Sequence, residues 1–238
     1  MRLVIAGCGH AALVALDDLA RRPVDAGATI TVVSARPTAA YSGMLPGWIE
    51  GIYPDDALHV PVAPVARRAG ATFVEAEVIG IDPEARTLAL AGRPPLPFDV
   101  CVLNTGSRPR RPVVDPAPAF DLSPKPIDAF QAGVAGLLSR LRGDARTRLV
   151  VVGGGAAGVE VALAFAARSA REGLPLAVHL VEGGPTILPG LPAAVRRAAL
   201  RHLLHRGVLV RTGSRVVGGE PGGLATARGW SVEADAVV

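Results

Sequence analysis

Cysteine is scarce in this sequence: Cys8 and Cys101 are the two among 238 residues, and neither stands in a C-x-x-C pair or a metal-ligand cluster. Disulfide frameworks and structural metal sites need several such ligands at short spacings, so neither organises this chain, and no metal ligand set is expected. Lysine is scarcer still, Lys125 being the one example, so all other fixed positive side-chain charge is arginine. Aromatics make up 4% of the residues, which leaves Ala, Val and Leu to fill the interior. Nowhere do 18 apolar residues run uninterrupted, so no transmembrane helix is expected. The apolar run Met1 to Ala6 flows straight into glycines and is too brief for a signal peptide. The expected location is therefore cytoplasmic, with attachment to the periphery of a membrane left open.

What is present is a hydrophobic half of the composition and a mean hydropathy of +0.36. That length holds two compact units of about 100 residues each. Small and β-branched residues in this proportion suit buried parallel strands under Ala-rich helices. The balance of 25 basic against 21 acidic residues leaves +4, and the arginines (Arg21, Arg22, Arg67, Arg68, Arg140, Arg142, Arg196, Arg197, Arg201) recur on expected helix faces. Nucleic-acid binders gather such charge in a patch interleaved with aromatics, so no nucleic-acid partner is expected.

Two segments share one grammar of strand, glycine-rich turn, Ala-rich helix and strand. The first runs RLVIA, GCGHAA, LVALDDLARR, ATITVV from Arg2 to Val33; the second runs RLVVV, GGGAAGVE, VALAFAARSAREG, LAVHLV from Arg148 to Val181. The fold expected is α/β, with two Rossmann-like dinucleotide-binding domains, each a three-layer arrangement around a parallel central sheet.

Gly153-x-Gly155-x-x-Gly158 has the strand before it and the helix after it that the dinucleotide fingerprint requires. The first glycine permits the tight turn, the second lets backbone approach a pyrophosphate, and the third lets helix pack on strand; Ala156 opens that helix. Glu182 closes the next strand, where a carboxylate accepts both ribose hydroxyls of an adenosine. That carboxylate repels a 2′-phosphate, and no arginine follows in VEGGPT, so NADH is preferred over NADPH. Gly7-x-Gly9-x-x-Ala12 repeats the fingerprint with alanine third, Ala11 and His10 lying inside it, but its second strand ends in Ser34 rather than an acid, followed by Ala35 and Arg36. Serine is a weaker ribose anchor. His10 either contacts phosphate or simply begins the helix.

Between these units ATFVEAEVIGI and RTLAL read as a strand pair joined by a turn at Asp82 to Ala85, and PFDVCVLNTG as a buried strand ending at Thr105 and Gly106. The proline-rich stretch Ser107 to Pro126 reads as a linker, Asp128 to Leu141 as a helix, LPAAVRRAALRHLLHRG as a helix capped at Gly207, and VLVRTGSRVVG as a strand. The expected domains are 1–111, 112–146 as a connecting segment, and 147–238. WSVEADAVV rises into a strand that stops without its turn, so the C-terminal part of the second domain and of the fold is expected to be missing.

GCGHAA, YSGMLPG at 41–47, LNTGSRP at 103–109, PKPID at 124–128, GGGAAGVE and LLHRGVLVRTGSRV at 203–216 together resemble the two-dinucleotide-binding flavoproteins of the pyridine nucleotide-disulfide oxidoreductase superfamily. Within it the sequence is similar to type II NADH dehydrogenase-like proteins, including those associated with selenide, water dikinase. The resemblance implies an N-terminal FAD domain carrying an inserted NAD domain, with a Gly-Asp segment that completes the flavin site absent here. It implies that Tyr41 to Gly47, with Ser42, Met44 and Pro46, approaches the flavin ring, a Gly/Pro-rich surface loop being the plain alternative. Val78 would offer backbone bonds to adenine, and Thr105 with Gly106 would lie near the FAD adenosine or pyrophosphate. Glu160 would face nicotinamide and flavin, or merely favour the helix dipole. Lys125, held between two prolines, would place an ammonium near the flavin, or is an exposed linker residue. The near-adjacent cysteine pair of disulfide-reducing relatives is missing.

The expected activity is hydride transfer from NADH to FAD and on to a small acceptor, a quinone or another oxidant. The alternatives are a non-catalytic nucleotide-binding fragment or regulatory module, or a reductase partner in selenium metabolism. A homodimer is possible on the same resemblance.

Overall fold

The computed structural model of the chain describes residues 1–23, 27–107, 117–143 and 145–238. In chain order its elements begin with β1 (Arg2–Ala6), α1 (His10–Arg21), β2 (Thr29–Ser34), β3 (Thr38–Ala40), α2 (Leu45–Glu50), β4 (His59–Pro61), α3 (Val62–Arg68), β5 (Thr72–Glu75), β6 (Val78–Asp82), β7 (Thr87–Leu90), β8 (Arg93–Pro97) and β9 (Val100–Leu103). They continue with β10 (Phe120–Asp121), α4 (Ile127–Arg142), β11 (Thr147–Val152), α5 (Ala156–Glu172), β12 (Leu176–Val181), α6 (Ala193–His205), β13 (Leu209–Arg211), β14 (Val216–Glu220), β15 (Gly223–Thr226), β16 (Ser231–Glu233) and β17 (Ala236–Val237). They form two compact units, one of Met1–Ser42 with Asp56–Ser107, the other of Gly43–Asp55 with Arg108–Val238.

The first unit is built on the parallel sheet β5-β2-β1-β9. Alternation along each strand divides its side chains between two cores. Ile5 and Val32 pack under Leu16 of α1 and Val62, Val65 and Ala66 of α3, whereas Val4, Ala6 and Val33 meet Leu88 and Leu90 on the antiparallel meander β6-β7-β8 and Phe98 just past it. The second unit repeats the plan on the parallel sheet β10-β17-β11-β12-β13. Helix α5 packs on β11 and β12, and Val150 and Val181 face Val216, Leu224 and Val232 of the meander β14-β15-β16. The three layers expected are therefore helices, parallel sheet and antiparallel meander, in both units.

Several expected boundaries shift. The run ATFVEAEVIGI is two strands in two sheets: β5 ends where Ala76 N–H reaches Ser34 O at 3.0 Å, and β6 then joins the meander. The expected turn follows β6, with Asp82 Oδ1 accepting the N–H groups of Glu84 (3.0 Å) and Ala85 (2.8 Å). VLVRTGSRVVG likewise divides into β13 and β14, broken at Gly213, whose φ is +65°. The strand after PFD, expected to be buried, is β9 at the sheet edge, with Val100, Val102 and Leu103 45%, 47% and 59% exposed; it pairs with β1 alone among the described strands. Its base is tied to β1 by Asp99, which accepts both the N–H (2.6 Å) and the guanidinium (2.8 Å) of Arg2.

The stretch 43–55 lies outside the first unit, so the expected domain 1–111 is not continuous. Its centre is a helix rather than a loop: Leu45, Trp48 and Ile49 of α2 are buried, Gly51 closes it at φ +80°, and Trp48 Nε1 donates to Asp55 Oδ1 at 2.7 Å. Within the second unit Arg168 of α5 donates to Ile49 O at 3.1 Å, and the Trp48 ring lies 6.4 Å from that of Phe130 on α4. The expected linker boundary at 111/112 and Arg108 to Pro109 of LNTGSRP lie outside the described residues, as do residues 108–116 of the proline-rich linker; α4 confirms the helix expected after it.

Candidate functional site

In the first unit β1 delivers the chain to Gly7, whose φ of +88° turns it away from the sheet while its N–H reaches Val33 O at 2.7 Å. Asn104, just past β9, lies directly behind this turn. Its N–H donates to Ala6 O at 2.7 Å, and its side-chain Oδ1 accepts the N–H of Ala12 at 3.3 Å, tying strand and helix together. There is no room for side chains here: a Cβ on Gly7 would lie 2.3 Å from Asn104 O, and one on Gly9 2.8 Å from Asn104 Oδ1. Helix α1 then begins at His10 with no side-chain cap and no acid in its first turn. With the Ala12 N–H already on Asn104, the other first-turn amides carry the partial positive charge that suits a phosphate group.

A cleft of about 360 Å³ opens along this turn. Gly7, Gly9, Ser34, Ala35, Arg36, Val78, Thr105 and Gly106, all expected as cofactor-binding residues, line it together with Asn104, Thr38, Ala40 and Glu77. Of the additional residues Asn104 matters most. Its signal in the sequence is the LNTG segment, in which it directly precedes the expected Thr105 and Gly106. The remaining expected residues lie elsewhere. The His10 ring stacks on Tyr41 with centroids 4.6 Å apart, and with Ala11 it borders a separate groove along α1, while Ala12 is buried. Ser42 closes the first segment of unit one, whereas Met44, Pro46 and Lys125 belong to the second unit. There the Lys125 carbonyl accepts the Ser123 hydroxyl at 2.7 Å.

In the second unit Gly153 turns at φ +112° with its N–H on Val181 O at 2.8 Å, and α5 opens at Ala156 from an extended Gly155, again without side-chain cap or first-turn acid. Gly158 presses on this turn so closely that a Cβ there would lie 1.9 Å from Gly153 O. Glu182, one residue past β12, accepts the N–H of Gly154 at 2.6 Å on Oε2 and that of Gly184 at 2.5 Å on Oε1. A carboxylate offers about four lone-pair sites, so both oxygens retain acceptor capacity for the vicinal hydroxyls of a ribose. Glu160 is the fifth residue of α5, exposed and past the first turn, with no hydrogen bond or ion pair among the described residues. A capping role is therefore not what holds a carboxylate there. The fold also brings Arg215 against Gly183, its Cα and Cβ 3.4 Å from where a Cβ on that glycine would stand. Sequence proximity to Glu182 could not reveal this arginine, because the bonds just past β13, Gly213 N–H on Gly184 O at 2.6 Å and Ser214 N–H on Glu182 O at 2.8 Å, place it there.

The residues present in both turns fit dinucleotides: glycines where a Cβ would strike backbone, amide-rich helix starts, and a carboxylate beside the second turn. Comparison with known proteins agrees, for the pyridine nucleotide-disulphide oxidoreductase family matches this chain over residues 1–238. The chain belongs to that family. An NADH dehydrogenase-like protein of Mycobacterium tuberculosis is 28% identical over 255 residues, covering 100% of this chain and 61% of the relative. Among solved structures, the sulfide:quinone oxidoreductase of Aquifex aeolicus superposes with a TM-score of 0.81 at 19% identity, covering 99% of this chain and 57% of that one. The NDH2 of Plasmodium falciparum in complex with NADH gives 0.81 at 15% identity, covering 99% and 54%. At these identities the structures establish the fold. The chain thus spans less than two thirds of each of these proteins.

Within this family member the two thiols stand apart and are unbridged. Cys8 lies in the first glycine turn, where a helix start ordinarily lowers a thiol pKa. Burial wins: the side chain is 7% exposed, and desolvation pushes the thiol up to about 11. Iodoacetamide should therefore label Cys8 negligibly at pH 7 to 8, with labelling rising steeply only as pH approaches 11. Mass spectrometry of the Cys8 peptide reads this, and rapid modification at neutral pH would contradict the buried placement.

Proposed function

We propose that this chain forms the nucleotide-binding part of an FAD-dependent oxidoreductase that takes a hydride from NADH, as the name of its NADH dehydrogenase-like relative suggests, and passes it to a small acceptor, a quinone being the first choice because the fold is shared with a sulfide:quinone oxidoreductase. The observation that carries this is the doubling of one device: each unit ends a parallel strand in a glycine turn that opens an uncapped helix. When bound, the flavin supplies the hydride-accepting chemistry. The chain supplies position. The turn at Gly7 and Gly9, backed by Asn104, holds the pyrophosphate of FAD beside the 360 Å³ cleft, with Ser34, Ala35 and Arg36 toward its ribose and the Val78 backbone toward its adenine. The turn at Gly153 to Gly158 holds that of NADH, with Glu182 on the adenosine ribose. Glu160, unpaired on α5 among the described residues, is the carboxylate this reading assigns to the nicotinamide.

The test is optical. Purified chain, supplied with FAD, should be yellow and should bleach anaerobically on addition of NADH; a chain that binds NADH but stays colourless would instead be a nucleotide-binding module without redox activity.

NADH is the preferred donor because the Glu182 carboxylate repels a 2′-phosphate. Replacing Glu182 by alanine removes two ribose acceptors and leaves Arg215 near Gly183. The Kd for NADH should rise roughly 10- to 100-fold. Binding of NADPH should weaken less or improve. An unchanged NADH:NADPH ratio in fluorescence titrations would refute the ribose assignment.

A further inference from the structure

From Gly183 to Gly219 the sequence contains no acidic residue, yet it carries six arginines: Arg196, Arg197, Arg201, Arg206, Arg211 and Arg215. Helix α6 lies in the middle of this stretch. It packs on α5 and β13 through one fully buried side chain, Leu203. Its opposite face is not the purely polar surface that such a helix ordinarily turns to water. Arg197, Leu200, Arg201, Leu204 and His205 fall at i, i+3, i+4, i+7 and i+8 and share one exposed stripe, in which Leu200 is 38% and Leu204 56% exposed. The leucines flanking the helix, Leu191 and Leu209, are 44% and 57% exposed. Beside the start of α6 a cleft of about 310 Å³ is lined by Arg196, Arg197, Thr186 and Thr212, with no acid among its lining residues.

We propose that the outer face of α6 docks on an anionic lipid surface. Leucines interleaved with guanidiniums are the composition of a helix lying in the membrane interface: apolar side chains enter the acyl boundary while the long arginine stems keep their charged heads at the phosphates. The cleft of guanidinium and hydroxyl donors accepts a phosphodiester headgroup at one end of that face. An acidic protein surface would satisfy the arginines but not the exposed leucine pair. No described helix is long and apolar enough to cross a membrane, and the contact proposed for α6 is with the surface. This inference stands apart from the dinucleotide chemistry, and its test does not require flavin.

The full chain should sediment with vesicles of phosphatidylglycerol and phosphatidylcholine in equal parts and stay in solution with phosphatidylcholine alone. The double variants R197E/R201E and L200N/L204N should each lower the vesicle partition coefficient about tenfold or more, with the melting temperature unchanged because all four side chains are exposed. Added salt should weaken binding of the parent chain. Several outcomes would overturn the proposal: no binding to the anionic vesicles, equal binding by both variants, lipid-free self-association abolished by L200N/L204N, or binding of inorganic phosphate at the cleft without vesicle binding.

Discussion

Gly158→Ala is expected to raise the Kd for NADH at least about 100-fold while flavin binding in the first unit persists. The added methyl would lie 1.9 Å from the carbonyl oxygen of Gly153, a backbone atom with no rotamer through which to escape. Helix α5 would have to shift from the end of β11, carrying with it the first-turn amides that the proposal assigns to the pyrophosphate. Such overpacking costs about 1–3 kcal/mol or more, which for a protein of this size lowers Tm by several degrees, roughly 2–4 °C for each kcal/mol. The first unit makes the control. Its third fingerprint position is already alanine, Ala12, buried with its N–H on Asn104, so the same residue type is tolerated there. Titration of NADH fluorescence together with a thermal melt reads both effects. Near-normal NADH affinity in Gly158→Ala would show that the second turn does not seat the pyrophosphate.

Gly7→Ala should abolish flavin retention and leave NADH binding by the second unit largely intact. Two costs coincide at this position. Its φ of +88° is a conformation L side chains rarely adopt, and a Cβ would lie 2.3 Å from Asn104 O and 2.7 Å from Thr105 Cα. Relieving the collision means parting β1 from the residues just past β9, where Asn104 N–H holds Ala6 O and Asn104 Oδ1 holds the start of α1. Together these should cost about 3 kcal/mol or more. Retention is measured as the ratio of flavin to protein absorbance after gel filtration with FAD. Because each unit has its own core, NADH titration of the same preparation separates a local lesion from collapse of the chain. Full flavin occupancy in the variant would displace the site from this turn.

Both glycine turns were legible from spacing alone, because a fingerprint is a local pattern: strand, turn and helix are contiguous, and a glycine required by backbone approach has no substitute. Eight of the expected residues in the first half do gather in one cleft. The failures were of another kind. Asn104 was passed over because its role depends on β9 lying beside β1, a pairing across nearly one hundred residues. The plain alternative for Tyr41 to Gly47 was a surface loop, because Gly43, Pro46 and Gly47 fall within seven residues, whereas burial of Leu45, Trp48 and Ile49 within the second unit outweighs that local preference and makes 45–50 a helix. ATFVEAEVIGI looked like one strand because nothing in its apolar pattern marks where a chain leaves one sheet for another. A helix start taken alone would lower the Cys8 thiol pKa, and the desolvation that raises it comes from tertiary packing.

Local chemistry in the sequence was enough to determine that there are two strand–glycine–helix turns, which glycines form them, and that a carboxylate stands beside the second. Tertiary structure alone decided what surrounds each turn, Asn104 behind the first and Arg215 beside the second, and likewise the insertion of β17 between β10 and β11 and the leucines left facing outward on α6. The reason is range. A turn's conformation is governed by the few residues within it, whereas neighbours across a sheet, and the side of a helix left uncovered, follow from how distant segments pair and pack.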